Sequence, residues 1–128
     1  MNAILDTHTF LWWNIDDPRL SKQAKRFIRD SNNQLFFSAA SGWEISIKYS
    51  KGRLELPDPP DLYVANRLAL HQFTPLPIQL THTLHTYQLP NIHQDPFDRI
   101  LISQCQLEKL PLITADASIQ KYDVDIIW

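Results

Sequence analysis

One cysteine and two glycines in 128 residues remove several classes of protein at once. With Cys105 alone no internal disulfide forms and no zinc site can be built on paired cysteines, a usage that fits a reducing compartment. Cys105 itself reads as a small buried apolar residue on a helix. Gly42 and Gly52 are too few for a glycine-rich phosphate loop, which excludes dinucleotide-binding and P-loop chemistry. The longest apolar runs, such as Phe10-Leu11-Trp12-Trp13 and Ile100-Leu101-Ile102, fall far short of the roughly 20 residues of a membrane-spanning helix. The N-terminus has no basic opening and reaches Asp6 after Ala3-Ile4-Leu5, so no secretory leader is expected. The expectation is a soluble, cytoplasmic chain with no membrane partner.

What is present is ordinary for a globular domain. Hydrophobic residues make up 44% and charged residues 20%, enough for one core, and a single domain over 1–128 is expected. Nine prolines punctuate the chain. Short apolar runs at Ala3-Ile4-Leu5, Leu35-Phe36-Phe37, Leu76-Pro77-Ile78, Leu112-Ile113-Thr114 and Val124-Asp125-Ile126-Ile127 predict about five short strands. Between them lie helical stripes. Leu20, Ala24, Phe27 and Ile28 form an apolar face opposite Lys22, Lys25, Arg26 and Arg29, whose charges read as a solvated face. Further stripes are Trp43 with Ile47, then Leu62, Ala65, Leu68 and Ala69, then Leu80 and Leu84, then Phe97, Ile100, Leu101 and Cys105. Strands alternating with helices predict an α/β fold with a mostly parallel sheet covered on both faces. Ligands of such sheets sit beyond the carboxyl ends of the strands.

Four acids fall near those positions: Asp6 after the first strand, Glu44 in the first turn of the helix after the second, Asp98 opening the helix from Phe97, and Asp116 after Leu112-Ile113-Thr114. Each has a structural explanation. Carboxylates at helix N-termini accept free amides and complement the dipole, by about 0.3–2 kcal/mol apiece. Ser41 and Glu44 have capping-box spacing, and Asp95-Pro96-Phe97-Asp98 places a cap before a first-turn proline and an acid. Glu44 also has Lys48 four residues on. Convergence along one sheet edge favours a functional explanation, because carboxylates about 5 Å apart repel by about 3 kcal/mol at an effective dielectric of about 20. Such a cluster holds protons or a cation, and hard carboxylate oxygens select Mg²⁺ or Mn²⁺.

The segments Ile4-Leu5-Asp6-Thr7-His8, Ser38 to Lys48, Asp95-Pro96-Phe97-Asp98-Arg99 through Gln104, and Leu112-Ile113-Thr114-Ala115-Asp116 together resemble the PIN-domain nucleases, and among them the VapC-like toxins of type II toxin–antitoxin systems. The resemblance runs over essentially the whole chain in the family's order. It implies a three-layer α/β/α fold, an endoribonuclease acting on single-stranded or loop RNA, and a site at Asp6, Glu44, Asp98 and Asp116 holding Mg²⁺ or Mn²⁺. Asp95 matches the first acid of an Asp-Pro-Phe-Asp-Arg motif, as a cap or a metal contact, and Thr114 is expected to orient a carboxylate or water or to be an ordinary strand-end hydroxyl. It also implies homodimers and a small antitoxin docked in an apolar groove, with Trp12 or Trp13 as candidate contacts.

Charge agrees with an RNA partner once it is divided. Setting aside Asp6, Glu44, Asp95, Asp98 and Asp116 leaves nine of the 14 acids against 12 Lys and Arg, a formal +3. Lys48 and Arg99, beside Glu44 and Asp98, are candidate phosphate contacts or simple ion-pair partners. His82 and His85, with His71 or His93, lack a completing ligand at zinc spacing, and His8 is read as surface or packing. Trp43, in register with Ile47, reads as core. Two other functions use the same residues: a catalytically idle PIN fold that binds without cutting, and a DNA nuclease or phosphatase.

Overall fold

The computed structural model describes residues 1–128. Strand β1 (Asn2–Leu5) leads through α1 (Thr7–Asn14) and α2 (Lys22–Arg29) to β2 (Gln34–Ser38). Helices α3 (Ala39–Ser50) and α4 (Pro60–His71) precede β3 (Thr74–Leu76), and α5 (Leu80–His85) and α6 (Pro96–Glu108) precede β4 (Leu112–Ile113) and β5 (Ile126–Ile127). All neighbouring strands are parallel, in the order β3-β2-β1-β4-β5. Chain order therefore reverses between β1 and β4, the crevice at which open parallel sheets bind ligands.

Alternation along β1 divides the interior in two. Ala3 and Leu5 face a cluster with Phe10, Leu20, Ala24, Ile28, Phe37, Ile45 and Tyr63, whereas Ile4 faces Leu101, Ile102, Cys105, Leu112 and Ile119. The three layers follow. The apolar face expected of α2 is inward, with Leu20, Ala24 and Ile28 buried, and Cys105 is a buried helix residue as read.

Several local readings need correction. The third strand is Thr74–Leu76, not Leu76–Ile78; Pro75 is tolerated because β3 is an edge strand. Helix α1 carries no 3.6-residue stripe in its sequence, and its start is set by Asp6 as N-cap. Leu62, Leu80 and Leu84 point outward. The inner face of α5 is instead polar: His82, 1% exposed, accepts from Gln79 N–H on Nδ1, meets Glu108 Oε1 at 3.0 Å through Nε2, and its carbonyl accepts from Ser103 Oγ at 2.6 Å. Trp43, read as core, is 62% exposed and rests edge-on against Phe97. Helix period alone cannot tell which of two crossing apolar stripes meets a neighbour.

Candidate active site

Asp6 and Asp116 flank the crevice where strand order reverses, one after β1 and one after β4. Asp6 is buried and caps α1, its Oδ1 accepting from Thr9 N–H at 2.7 Å. Burial pushes its carboxyl pKa above the usual range, while the Thr114 and Thr9 hydroxyls, the Thr9 amide and His8 pull it back. Thr114, itself buried, thus faces Asp6, and its Oγ1 accepts from Asp116 N–H at 3.0 Å. The same hydroxyl thus lies by the Asp6 carboxyl and bonds the Asp116 main chain. Asp116 turns the chain by accepting from Ser118 N–H at 2.8 Å.

Asp98 lies in the first turn of α6, which Asp95 caps: Asp95 Oδ1 accepts from Phe97 and Asp98 N–H at 2.9 and 3.1 Å, with proline at the first helical position. The capping role of Asp95 is therefore present. Burial, and then the charges of Asp95, Asp116 and Glu44, drive the Asp98 pKa up to about 7, partly offset by His93. Acids from three separate segments bear on this one carboxyl group. His93 Nε2 stands 3.3 Å from Asp98 Oδ2.

Glu44 reaches the site from further along its helix than the spacing suggested. Ser38, with its Oγ accepting from Ala40 N–H, is the N-cap of α3, so Ser41 and Glu44 form no capping box. Glu44 is buried in the second turn and accepts from Lys48 Nζ at 2.6 Å. Around it, Thr7 Oγ1 donates to Ser41 Oγ at 2.8 Å and Ser38 Oγ to Gln104 Oε1 at 2.6 Å. These buried bonds lock α1, α3 and α6 together beneath the acids.

Two expected roles separate here. Lys48 keeps its ammonium half exposed and lines a cavity of about 260 Å³ with His8, Trp12, Arg19 and Arg53. Arg99 turns away from the acids. Its Nη1 donates to Pro90 O at 2.9 Å and Tyr122 Oη at 3.2 Å, and its Nη2 to Thr86 O at 3.3 Å. It is a loop clamp, and the phosphate role considered for it is withdrawn. The adjacent cavity, about 320 Å³, is lined by Asp6, Asp116, His8, Trp12, Arg19 and Ala115. His8 is a surface residue, as read, yet at the mouth of the site. Trp12 is partly covered by the Arg19 guanidinium, 4.7 Å over its ring, and by Trp128. Arg19, His93 and Tyr122 were not picked out as site residues; only the sheet topology brings them here.

The donor set suits a hard divalent cation: carboxylates only, mutually repelling at Asp98. Their side chains are not drawn onto one point, since no three His, Cys, Asp or Glu groups stand as a ready ligand shell. Each instead holds a protein partner, Lys48, Thr9, His93 or Ser118. The histidines form no zinc cluster either, His82 and His85 being bonded to Glu108 and Gln106.

A family model described as PIN domain matches residues 3–125. Ribonuclease VapC16 of Mycobacterium tuberculosis is 38% identical over 72 residues, 53% of this chain and 51% of that protein; the matched region spans about half of each. Among solved structures, VapBC2 from Rickettsia felis bound to a promoter DNA fragment aligns with TM-score 0.72 at 13% identity, over 98% of this chain and 97% of that one. VapBC-1 from nontypeable Haemophilus influenzae gives 0.66 at 18% identity, over 98% and 96%. At such identities these structures speak to the fold alone, and they share it from end to end. With the family model spanning nearly the whole sequence and the acids gathered at the switch point of a parallel sheet, the chain belongs to the PIN domain family.

Proposed function

We propose that this protein is a metal-dependent endoribonuclease acting as the toxin of a toxin–antitoxin pair. The observation that carries the reading is the placement of Asp6 and Asp116 at the switch point of the sheet, sharing one cavity, with Asp98 near enough to Asp95, Asp116 and Glu44 for their charges to raise its pKa. Like charges placed near one another, with Glu44 and Asp6 buried and Asp98 half-buried, cost stability unless a cation or a proton offsets them. The 38% identity to a protein named a ribonuclease supports RNA as the substrate.

Asp6, Asp98 and Asp116, with Glu44, would hold Mg²⁺ or Mn²⁺. Such an ion, when bound, acidifies water and polarises a phosphoryl oxygen. The chain's own residues do the rest. The Thr114 hydroxyl, beside Asp6, holds the Asp116 main chain, and Lys48 offers an ammonium group that leaves Glu44 for a phosphate oxygen. Arg19 and Arg53 extend the positive lining past Trp12, a track for a single strand's backbone beside an aromatic ring. No Ser or Cys nucleophile is involved: Ser38 and Ser41 are buried in bonds between helices, and burial pushes the Cys105 thiol pKa far above its usual value.

An antitoxin partner and homodimerisation belong to the same proposal. One solved structure of the same fold is a toxin–antitoxin complex from Klebsiella pneumoniae, and Leu62, Leu70, Leu80, Leu84 and Tyr87 are exposed apolar side chains that a partner would cover. Trp12 and Trp13, considered for that role, are half-buried against the core.

The test is cleavage of a structured RNA, a DNA of the same sequence and a small phosphate ester, with Mn²⁺, Mg²⁺ or EDTA, beside Asp6→Asn. Metal-dependent RNA cleavage lost in the variant is expected. Cleavage of DNA or ester alone would redirect the substrate, and RNA binding without cleavage of any of them would indicate an idle binding module.

A further inference from the structure

We propose that His93 is the positioning residue for the Asp98 carboxylate, held by Tyr122 and Arg99 in the tautomer that presents a protonated Nε2 to Asp98 Oδ2. The inference rests on the reading of Asp98 as a cation ligand given above.

The tautomer follows from counting donors at one oxygen. Tyr122 is buried, 4% exposed, and its Oη has three nitrogen neighbours. Arg99 Nη1 stands at 3.2 Å, His93 backbone N at 3.3 Å and His93 Nδ1 at 2.8 Å. The guanidinium and the amide have only hydrogens to give, so Oη accepts from both. The phenol's single proton then has one acceptor left, His93 Nδ1. A neutral imidazole with Nδ1 accepting carries its hydrogen on Nε2, and Nε2 is the atom that faces Asp98 Oδ2 at 3.3 Å. Because arginine does not lose its proton in a protein, the direction of donation along Arg99, Tyr122, His93 and Asp98 cannot reverse.

The same arginine secures both ends of this chain of bonds. It follows Asp98 in α6, and its Nη1 and Nη2 also hold the carbonyls of Thr86, Leu89, Pro90 and His93. The loop carrying the imidazole is thereby tied to the helix carrying the carboxylate. The Tyr122 and His93 rings lie against each other, centroids 5.3 Å apart, which limits rotation of the imidazole. With Oδ2 engaged by Nε2–H, the Asp98 carboxylate has a set plane, and Oδ1 is left for a cation. An outer partner that orients a ligand in this way is typically worth 10- to 100-fold in metal affinity or activity.

The experiment pairs a spectrum with a titration on the full chain. In ¹⁵N-histidine-labelled protein near neutral pH, His93 Nδ1 should resonate in the unprotonated range and Nε2 in the protonated range. Tyr122→Phe should mix the tautomers. Mn²⁺ alone, titrated calorimetrically, should bind His93→Ala about 10- to 100-fold more weakly than the wild type, with His93→Gln, whose side-chain amide can donate to Asp98, recovering most of the loss. A protonated Nδ1 in the wild type, or Mn²⁺ affinity in His93→Ala and His93→Gln both within about twofold of wild type, would overturn the inference while the ribonuclease reading stands. Wild-type protein that takes up no Mn²⁺ would overturn both.

Discussion

Asp17 and Asp98 are the same residue pushed in opposite directions by their surroundings. Asp17 sits in the fork of Arg19, whose Nη2 and Nε donate to its two oxygens at 2.8 and 3.1 Å, and these bonds hold its pKa down to about 2. Asp98 is half-buried near Asp95, Asp116 and Glu44, and its pKa is driven up to about 7 by desolvation and by their charges. The first carboxylate has been given a partner by the chain two residues away. The second has only the His93 imidazole at 3.3 Å and no guanidinium, since the neighbouring Arg99 is spent on carbonyls and a phenol. A surface ion pair explains itself locally, whereas a partly desolvated acid crowded by like charges costs stability and points to a ligand.

Replacing Asp98 breaks the comparison most severely. Asp98→Asn should lower metal-dependent RNA cleavage by more than about 100-fold, the scale of losing a group on which a metal site depends. It should also raise the stability of the metal-free protein at neutral pH. The sign follows from linkage: with a folded pKa of about 7 against 3.8 for the free group, the proton favours the fold. That contribution is complete below about pH 4 and is lost as pH rises through 7. Metal-free wild type should therefore melt at lower temperature at pH 8 than at pH 5.5 for this reason, and the variant's pH slope should flatten, by a difference on the order of 2 kcal/mol. A thermal melt series in EDTA measures it.

Arg99→Lys comes next. One ammonium cannot replace a fork on Thr86, Pro90 and Tyr122, so denaturant titration should show a loss of about 1–3 kcal/mol, with no change in the salt dependence of RNA binding. Lys48→Ala should do the reverse. It should weaken RNA binding and reduce the slope of log affinity against log salt by about one. Measured by filter binding, an unchanged slope would remove Lys48 from the phosphate track. Smallest of all, Asp17→Asn should lower the melting temperature only slightly at neutral pH, because the Arg19 side of the pair is largely exposed. Its lowered pKa supplies stability that is present above about pH 4 and lost as pH falls through 2, so wild type and variant should converge only in strong acid.

Much of the site was legible because its acids sit where short-range rules place them. Asp6 ends an apolar triplet, Asp95-Pro96 announces a helix start, and Asp116 follows a strand. The fold class was legible for the same reason: strand and helix runs alternate, and parallel sheets gather their carboxyl ends. Glu44 was placed one turn too early because Ser41 fits a capping box as well as Ser38 fits a cap; the choice depends on where β2 stops pairing. Leu80 and Leu84 lie on a helix as their spacing reads, but Trp43 was misassigned to the core because its spacing is helical while the neighbouring surface that would bury it is absent. Arg99 looked like a phosphate contact, since adjacency to Asp98 says nothing about which way a long side chain turns.

The sequence by itself determined the parallel α/β architecture and the placement of the acids at strand ends and helix starts, because both rest on composition and on periods of two and 3.6 residues within short windows. Only the tertiary structure decided that Asp116 stands with both Asp6 and Asp98, that the Thr114 hydroxyl lies by Asp6 while accepting from the Asp116 amide, and that Tyr122 and Arg99 set the face His93 shows to Asp98. Those relations link residues up to about a hundred positions apart. Their free energies depend on burial and on angles between side chains, which no local pattern encodes.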